Sequence, residues 1–100
     1  MKNYIFKQYA NNICEHLDID TEELFARTKK PQVVEGRQLL YFLCNIKRQM
    51  GLTEISSYAE KLGLNEDASN VRRAIEKVKE KLSDDPDYVY IIKKLEEIQL

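Results

Sequence analysis

Apolar residues recur along this chain at the three- and four-residue spacing of helices, in segments separated by polar turns. Over residues 4–17, Ile5, Phe6, Tyr9, Ile13, Cys14 and Leu17 fall on one stripe. Residues 20–25 predict a short helix capped by Asp20, with Glu23 placed to close a capping box and Leu24 and Phe25 to dock it. Residues 27–36, RTKKPQVVEG, are basic and punctuated by Pro31. The residue before a proline avoids helical conformation, so this stretch reads as an extended linker anchored by Val33 and Val34. Residues 35–51 form the most hydrophobic helix, with Leu39, Leu40, Leu43 and Ile46 buried, Phe42 beside them and Gly51 as C-terminal cap.

A shorter helix over 53–62 starts at the cap Thr53, ends before Gly63, and turns Ile55, Tyr58, Ala59 and Leu62 inward. The turn GLNEDAS leads into a basic helix whose buried stripe is Val71, Ala74, Ile75, Val78 and Leu82. The last helix opens at SDDPD, where Pro86 suits the first turn and the acidic residues favour the positive end of the helix dipole. Its inward face is Tyr88, Ile91, Ile92, Leu95 and Ile98. Strand signals are weak, since β-branched runs are brief and no Asn-Gly or Asp-Gly hairpin turn occurs. The expected fold is all-α, a bundle of about six helices forming one domain over residues 1–100.

Charge changes the picture through its distribution. The sequence carries 16 basic and 17 acidic residues, a net charge of −1, which argues against strong non-specific nucleic-acid binding. Residues 25–50 nevertheless hold Arg27, Lys29, Lys30, Arg37, Lys47 and Arg48 against Glu35 alone. Residues 71–81 hold Arg72, Arg73, Lys77, Lys79 and Lys81 against Glu76 and Glu80. The acids gather in 15–23 and 84–97. A near-neutral chain with one basic face is compatible with this pattern, if the fold brings the two basic segments together.

Catalytic constellations are missing. His16 is the only histidine, which rules out multi-histidine metal sites and leaves a non-enzymatic role expected, with no cofactor and no metal. No Gly-rich phosphate loop occurs. Cys14 and Cys44 sit in apolar helical pattern and read as buried, reduced thiols. The first residues lack the apolar core of a signal peptide, and no run reaches bilayer-spanning length, so a cytoplasmic location without membrane partners is expected.

A short helix, a turn containing glycine and a second, basic helix is the pattern of a helix-turn-helix reader. At 100° per residue, Ser69, Asn70 and Arg73 face outward at the first turn, opposite the buried stripe. Asn pairs bidentately with adenine and Arg with guanine. Glu76 and Glu80 repel phosphate further along, so insertion is expected to be end-on. The same pattern fits a solvated surface helix equally well, with Arg72 and Glu76 paired at i, i+4.

Three stretches carry a resemblance: ICEHLDIDTEELFARTKK, VVEGRQLLYFLCNIKRQMGLTEIS and NEDASNVRRAIEKV. In order, spacing and anchors (Arg37-Gln38, Leu52, Glu54-Ile55, Asp67, Ser69, Val71, Ala74, Lys77 and Val78), the chain from Cys14 to Leu95 resembles the C-terminal DNA-binding domain of the bacterial replication initiator DnaA, a fold related to the Trp repressor. The resemblance implies that Lys29 or Lys30 reaches the minor groove and Arg37 holds phosphate. It implies further that Leu52 and Thr53 start the backbone-contacting helix, that Asp67, Ser69 and Asn70 form the base-reading turn, and that Lys77 lies near a phosphate. The family signature differs at Glu66, Ala68, Asn70 and Gly36, where it carries Arg, His, Thr and Pro. The expected function is a stand-alone double-stranded DNA-binding protein of altered specificity, a replication or transcription regulator of phage or mobile-element type. The alternative is a protein–protein interaction module of the same fold that has lost DNA binding and pairs with a replication or transcription protein.

Overall fold

The computed structural model describes residues 2–98 and places them in six α-helices. These are α1 (Lys2–Leu17), α2 (Thr21–Leu24), α3 (Pro31–Phe42), α4 (Leu52–Lys61), α5 (Ala68–Asp84) and α6 (Pro86–Leu95), with a π-helical continuation of α3 over Leu43–Lys47. No strand occurs among the described residues. The all-α reading holds.

The predicted stripes become the core. Phe6, Tyr9, Ile13, Leu24, Leu39, Leu40, Leu43, Ile55, Val71 and Val78 are all sealed from solvent. α3 lies at the centre, packed against α1, α2 and α5, while α4 and α6 each lie along α5. Asp67 and Asp85 cap α5 and α6, accepting from the backbone N–H groups of Asn70 at 2.8 Å and Asp87 at 3.0 Å, and Pro86 occupies the first turn of α6 as expected. Gly63, at φ +104, ends α4 in the left-handed conformation that a residue without Cβ adopts freely.

Several expectations are corrected. The 27–36 stretch is extended only through Lys30 (φ −55, ψ 129), because Pro31 acts as the first residue of α3. The pre-proline rule governs Lys30 alone; from Pro31 onward the fixed proline φ favours the helix, and Val33 is buried on it. Asp20 has N-cap dihedrals but its side chain accepts no capping hydrogen bond. Gly51 does not close the preceding helix. It is the N-cap of α4, its N–H donating to the Glu54 carboxylate at 3.0 Å, and Thr53 therefore lies inside the helix. Gln49 takes the left-handed turn instead (φ 55), and the Asn45 amide ties down the Met50 carbonyl at 2.7 Å. The π widening turns Ile46 outward, to 39% exposure, and buries Met50. Leu62, expected inward, is 41% exposed, while Leu64, beyond the turn, is buried.

Tyr9 shows how the helix ends are held. Its hydroxyl donates to the Glu96 carbonyl just past α6 and accepts from Arg48 Nε, each at 3.0 Å. Tyr9→Phe is expected to destabilise the domain by about 1–2 kcal/mol and to fray the end of α6 first. Amide exchange and urea denaturation read this; unchanged protection around Glu96 would rule the tether out.

Candidate functional site

A helix leaves its last carbonyls without partners, and α2, a single turn long, has no room to satisfy them internally. Arg37, one turn and a half into α3, reaches back to the segment after α2. Its Nε donates to the Leu24 carbonyl at 2.7 Å, Nη1 to the Thr28 carbonyl at 3.2 Å, and Nη2 to the Ala26 carbonyl. A planar fork of five N–H groups fits three carbonyls of a curved loop, and two N–H groups are left over. Lys30 N–H donates to Thr28 Oγ1 at 3.2 Å and stiffens the loop further. Held this way, the loop exposes Arg27 and Lys29, while Lys30 leans toward Glu23 at 3.9 Å.

The first turn of α5 stands beside this loop. The Asp67 cap fixes Asn70, whose Oδ1 accepts from Arg73 Nη2 at 2.6 Å and whose amide N–H groups are left to donate outward. Between α3 and α5 lies a cleft of about 280 Å³ lined by Val34, Arg37, Gln38, Tyr41, Glu66, Asn70, Arg73, Ala74 and Lys77. A second hollow, over the loop, is lined by Arg27, Thr28, Lys29, Val34 and Arg37. Val34 and Arg37 belong to both, so the two hollows form one continuous surface. Part of each basic segment shares this face: Arg27, Lys29 and Arg37 from the first, Arg73 and Lys77 from the second.

Of the residues singled out from the sequence, Lys29, Arg37, Asn70, Arg73 and Lys77 line that surface. Lys30 lies in the same loop, Asp67 works as the helix cap, and Ser69 is exposed on the same first turn. Leu52 and Thr53 lie elsewhere. Leu52, half-buried at the start of α4, lines a separate groove with Asn45, Arg72 and Lys79 on another side of α5, and Thr53 is exposed beside it. Gln38 and Tyr41 join the cleft without having been anticipated. They belong to the helix that the hydrophobic pattern marked only as core.

Two groups in the cleft have unusual surroundings. Tyr41 is 1% exposed, and its hydroxyl has no hydrogen-bond partner. Burial, with the Glu66 carboxylate adding, pushes its phenol well above the usual tyrosine range. Glu66 is half-buried; burial raises its carboxyl above the ordinary glutamate range, Arg37 works against this, and Asp67 adds to it. Ser56 of α4 donates to the Glu66 backbone carbonyl, fixing the residue at the mouth of the cleft. The cysteines are remote and inert: burial lifts Cys14 to about 11 and Cys44 to about 12, far from the thiolate a nucleophile or ligand requires. No group of acids, cysteines and histidine suited to a metal ion occurs among the described residues. His16 is exposed in a polar hollow between α1 and α6, away from the cationic face.

Fold and surface together define a small all-α domain with a rigid basic loop beside a cationic cleft; among the described residues no helix is long and apolar enough to cross a membrane. Comparison with protein-family models, curated proteins and solved structures gives no match.

Proposed function

We propose that the chain binds double-stranded DNA in the manner of the initiator C-terminal domain it resembles, with α4 and α5 as a helix-turn-helix and the 27–30 loop as a second, basic contact. The observation that carries this reading is the continuity of the loop with the first turns of α5 through Val34 and Arg37. A surface that places Arg27, Lys29, Arg73 and Lys77 together suits two phosphate backbones flanking a groove. Asn70, oriented by Asp67 and Arg73, is the side chain best placed for a base edge. A replication or transcription regulator of phage or mobile-element type is the role this reading favours.

Fluorescence anisotropy on duplex DNA at two salt concentrations tests it. Lys29→Ala is expected to weaken binding to every sequence and to lower the salt slope by about 0.9. Asn70→Ala is expected to relax preference at one base pair, by about 1–3 kcal/mol of discrimination. Absence of salt-dependent binding at low salt would overturn the proposal. That outcome would favour the second reading, a protein-interaction module of the same fold, which the acid Glu66 inside the cleft supports.

A further inference from the structure

The α3–α5 cleft is more than an open stretch of positive surface. It is a pocket with a buried hydroxyl that lacks a partner, a ring of cationic groups, and one acid. We propose that this cleft seats a single tetrahedral oxyanion of the phosphate type, with the Tyr41 hydroxyl, Gln38 and the free N–H groups of Arg37, Arg73 and Lys77 as donors, and that its uptake carries one proton onto Glu66. The proposal rests on the DNA-binding reading only for the source of the phosphate; a free anion has the same chemistry.

The volume of about 280 Å³ accommodates such a group with some water. A buried hydroxyl without a hydrogen bond is costly to the fold; the Tyr41 oxygen is sealed under the cleft that its residue lines, and an oxyanion seated there would supply the missing acceptor once the side chains over it turn aside. Arg37 has two N–H groups beyond those on Leu24, Ala26 and Thr28. Arg73 gives one N–H to Asn70 and keeps its others, and Lys77 is only loosely paired with Glu80 at 4.0 Å, so both have N–H groups to offer an anion.

Glu66 is the group that opposes this. Arg37 and the adjacent Asp67 act on its charge, Tyr41 from α3 and Arg73 and Lys77 from α5 line the same cleft, and from α4 the neutral Ser56 hydroxyl reaches its backbone. A carboxylate among the donors repels an incoming oxyanion, and a carboxylic acid does not. Burial already moves Glu66 toward its neutral form relative to a free glutamate, and an anion beside it moves it further the same way. Binding therefore takes up a proton. Affinity rises as pH falls, by up to about tenfold for each pH unit in which the uptake is complete.

Sulfate is the probe, because it stays a dianion across the range and contributes no titration of its own. Amide NMR of the intact chain, titrated with sulfate near pH 7 and near pH 5, reads the site directly. Shifts are expected at Gln38, Tyr41 and 66–70, with affinity about fivefold or more tighter at the lower pH. Glu66→Gln is expected to bind at both pH values as tightly as the unaltered chain does at the lower one. Tyr41→Phe, which removes an unsatisfied hydroxyl and leaves the core filled, is expected to keep or raise the melting temperature while losing several-fold in sulfate affinity. No localised sulfate shift at either pH, or an unaltered pH dependence in Glu66→Gln, overturns the proposal. A parallel duplex titration separates the readings. Sulfate binding without duplex binding keeps the oxyanion seat and removes the DNA function; duplex binding without a sulfate response does the reverse.

Discussion

Arg37→Ala is expected to destabilise the domain by about 2–3 kcal/mol and to lower its melting temperature on the order of 10–20 °C. Three carbonyl oxygens, those of Leu24, Ala26 and Thr28, lose a charged donor at once. Because the site is partly open, water replaces some of what is lost, which keeps the expected cost below the sum of three buried charged bonds. Duplex affinity is expected to fall as well, since the loop carrying Arg27 and Lys29 would no longer have a fixed shape. Arg37→Lys separates the two effects. A lysine keeps the charge but is a point donor that cannot bridge three carbonyls, so it should restore the salt slope and little of the melting temperature. Full thermal rescue by lysine would show that charge, and not the fork, holds the loop.

Gly36→Leu is expected to cost about 3 kcal/mol, read as a lower urea midpoint. Gly36 is a buried residue on the face of α3 that meets α1 and α2, and a Cβ there would come to 3.0 Å from Leu24 Cδ1 and 3.1 Å from Leu17 Cδ1. Both are tips of flexible side chains, so a single methyl can be accommodated. Gly36→Ala should accordingly come out near neutral, the crowding offset by the roughly 1 kcal/mol by which alanine favours a helix over glycine. A leucine has no such room. A well-tolerated Gly36→Leu would mean that α2 is free to move away, contrary to the buried Leu24 and Phe25 that fix it.

Gly36 also illustrates what the sequence could and could not reveal. Most helices were legible because the 3.6-residue apolar period survives on α1, α4, α5 and α6, and the start of α6 followed from the SDDPD turn and Pro86; that Asp67 caps α5 came from the structure. The start of α3 was not, because Pro31 signals both an extended predecessor and a helical first turn, and only packing of Val33 decides between them. The turn at 48–51 was misjudged for a similar reason: glycine suits a left-handed cap, but Asn45 and the π widening moved that conformation to Gln49. At the candidate site, the exposed cations of α5 were readable from helical geometry alone. That the 27–30 loop lies beside them was not, since it depends on Arg37 crossing from α3 to three carbonyls that no local pattern marks. Tyr41 was hidden by its company, one aromatic within a continuous apolar run, and Glu66 registered only as a departure from the resembling family.

The Arg37 fork has a thermodynamic consequence for whatever meets this surface. A basic connection such as residues 25–30, if it ordered itself only on contact, would have to give up backbone freedom of roughly 1–2 kcal/mol per residue at that moment. Here that entropy is lost when the chain folds, because the loop is already bound to α3. Association then orders little more than the exposed side chains of Arg27 and Lys29, and its heat capacity change reflects surface burial alone rather than coupled folding.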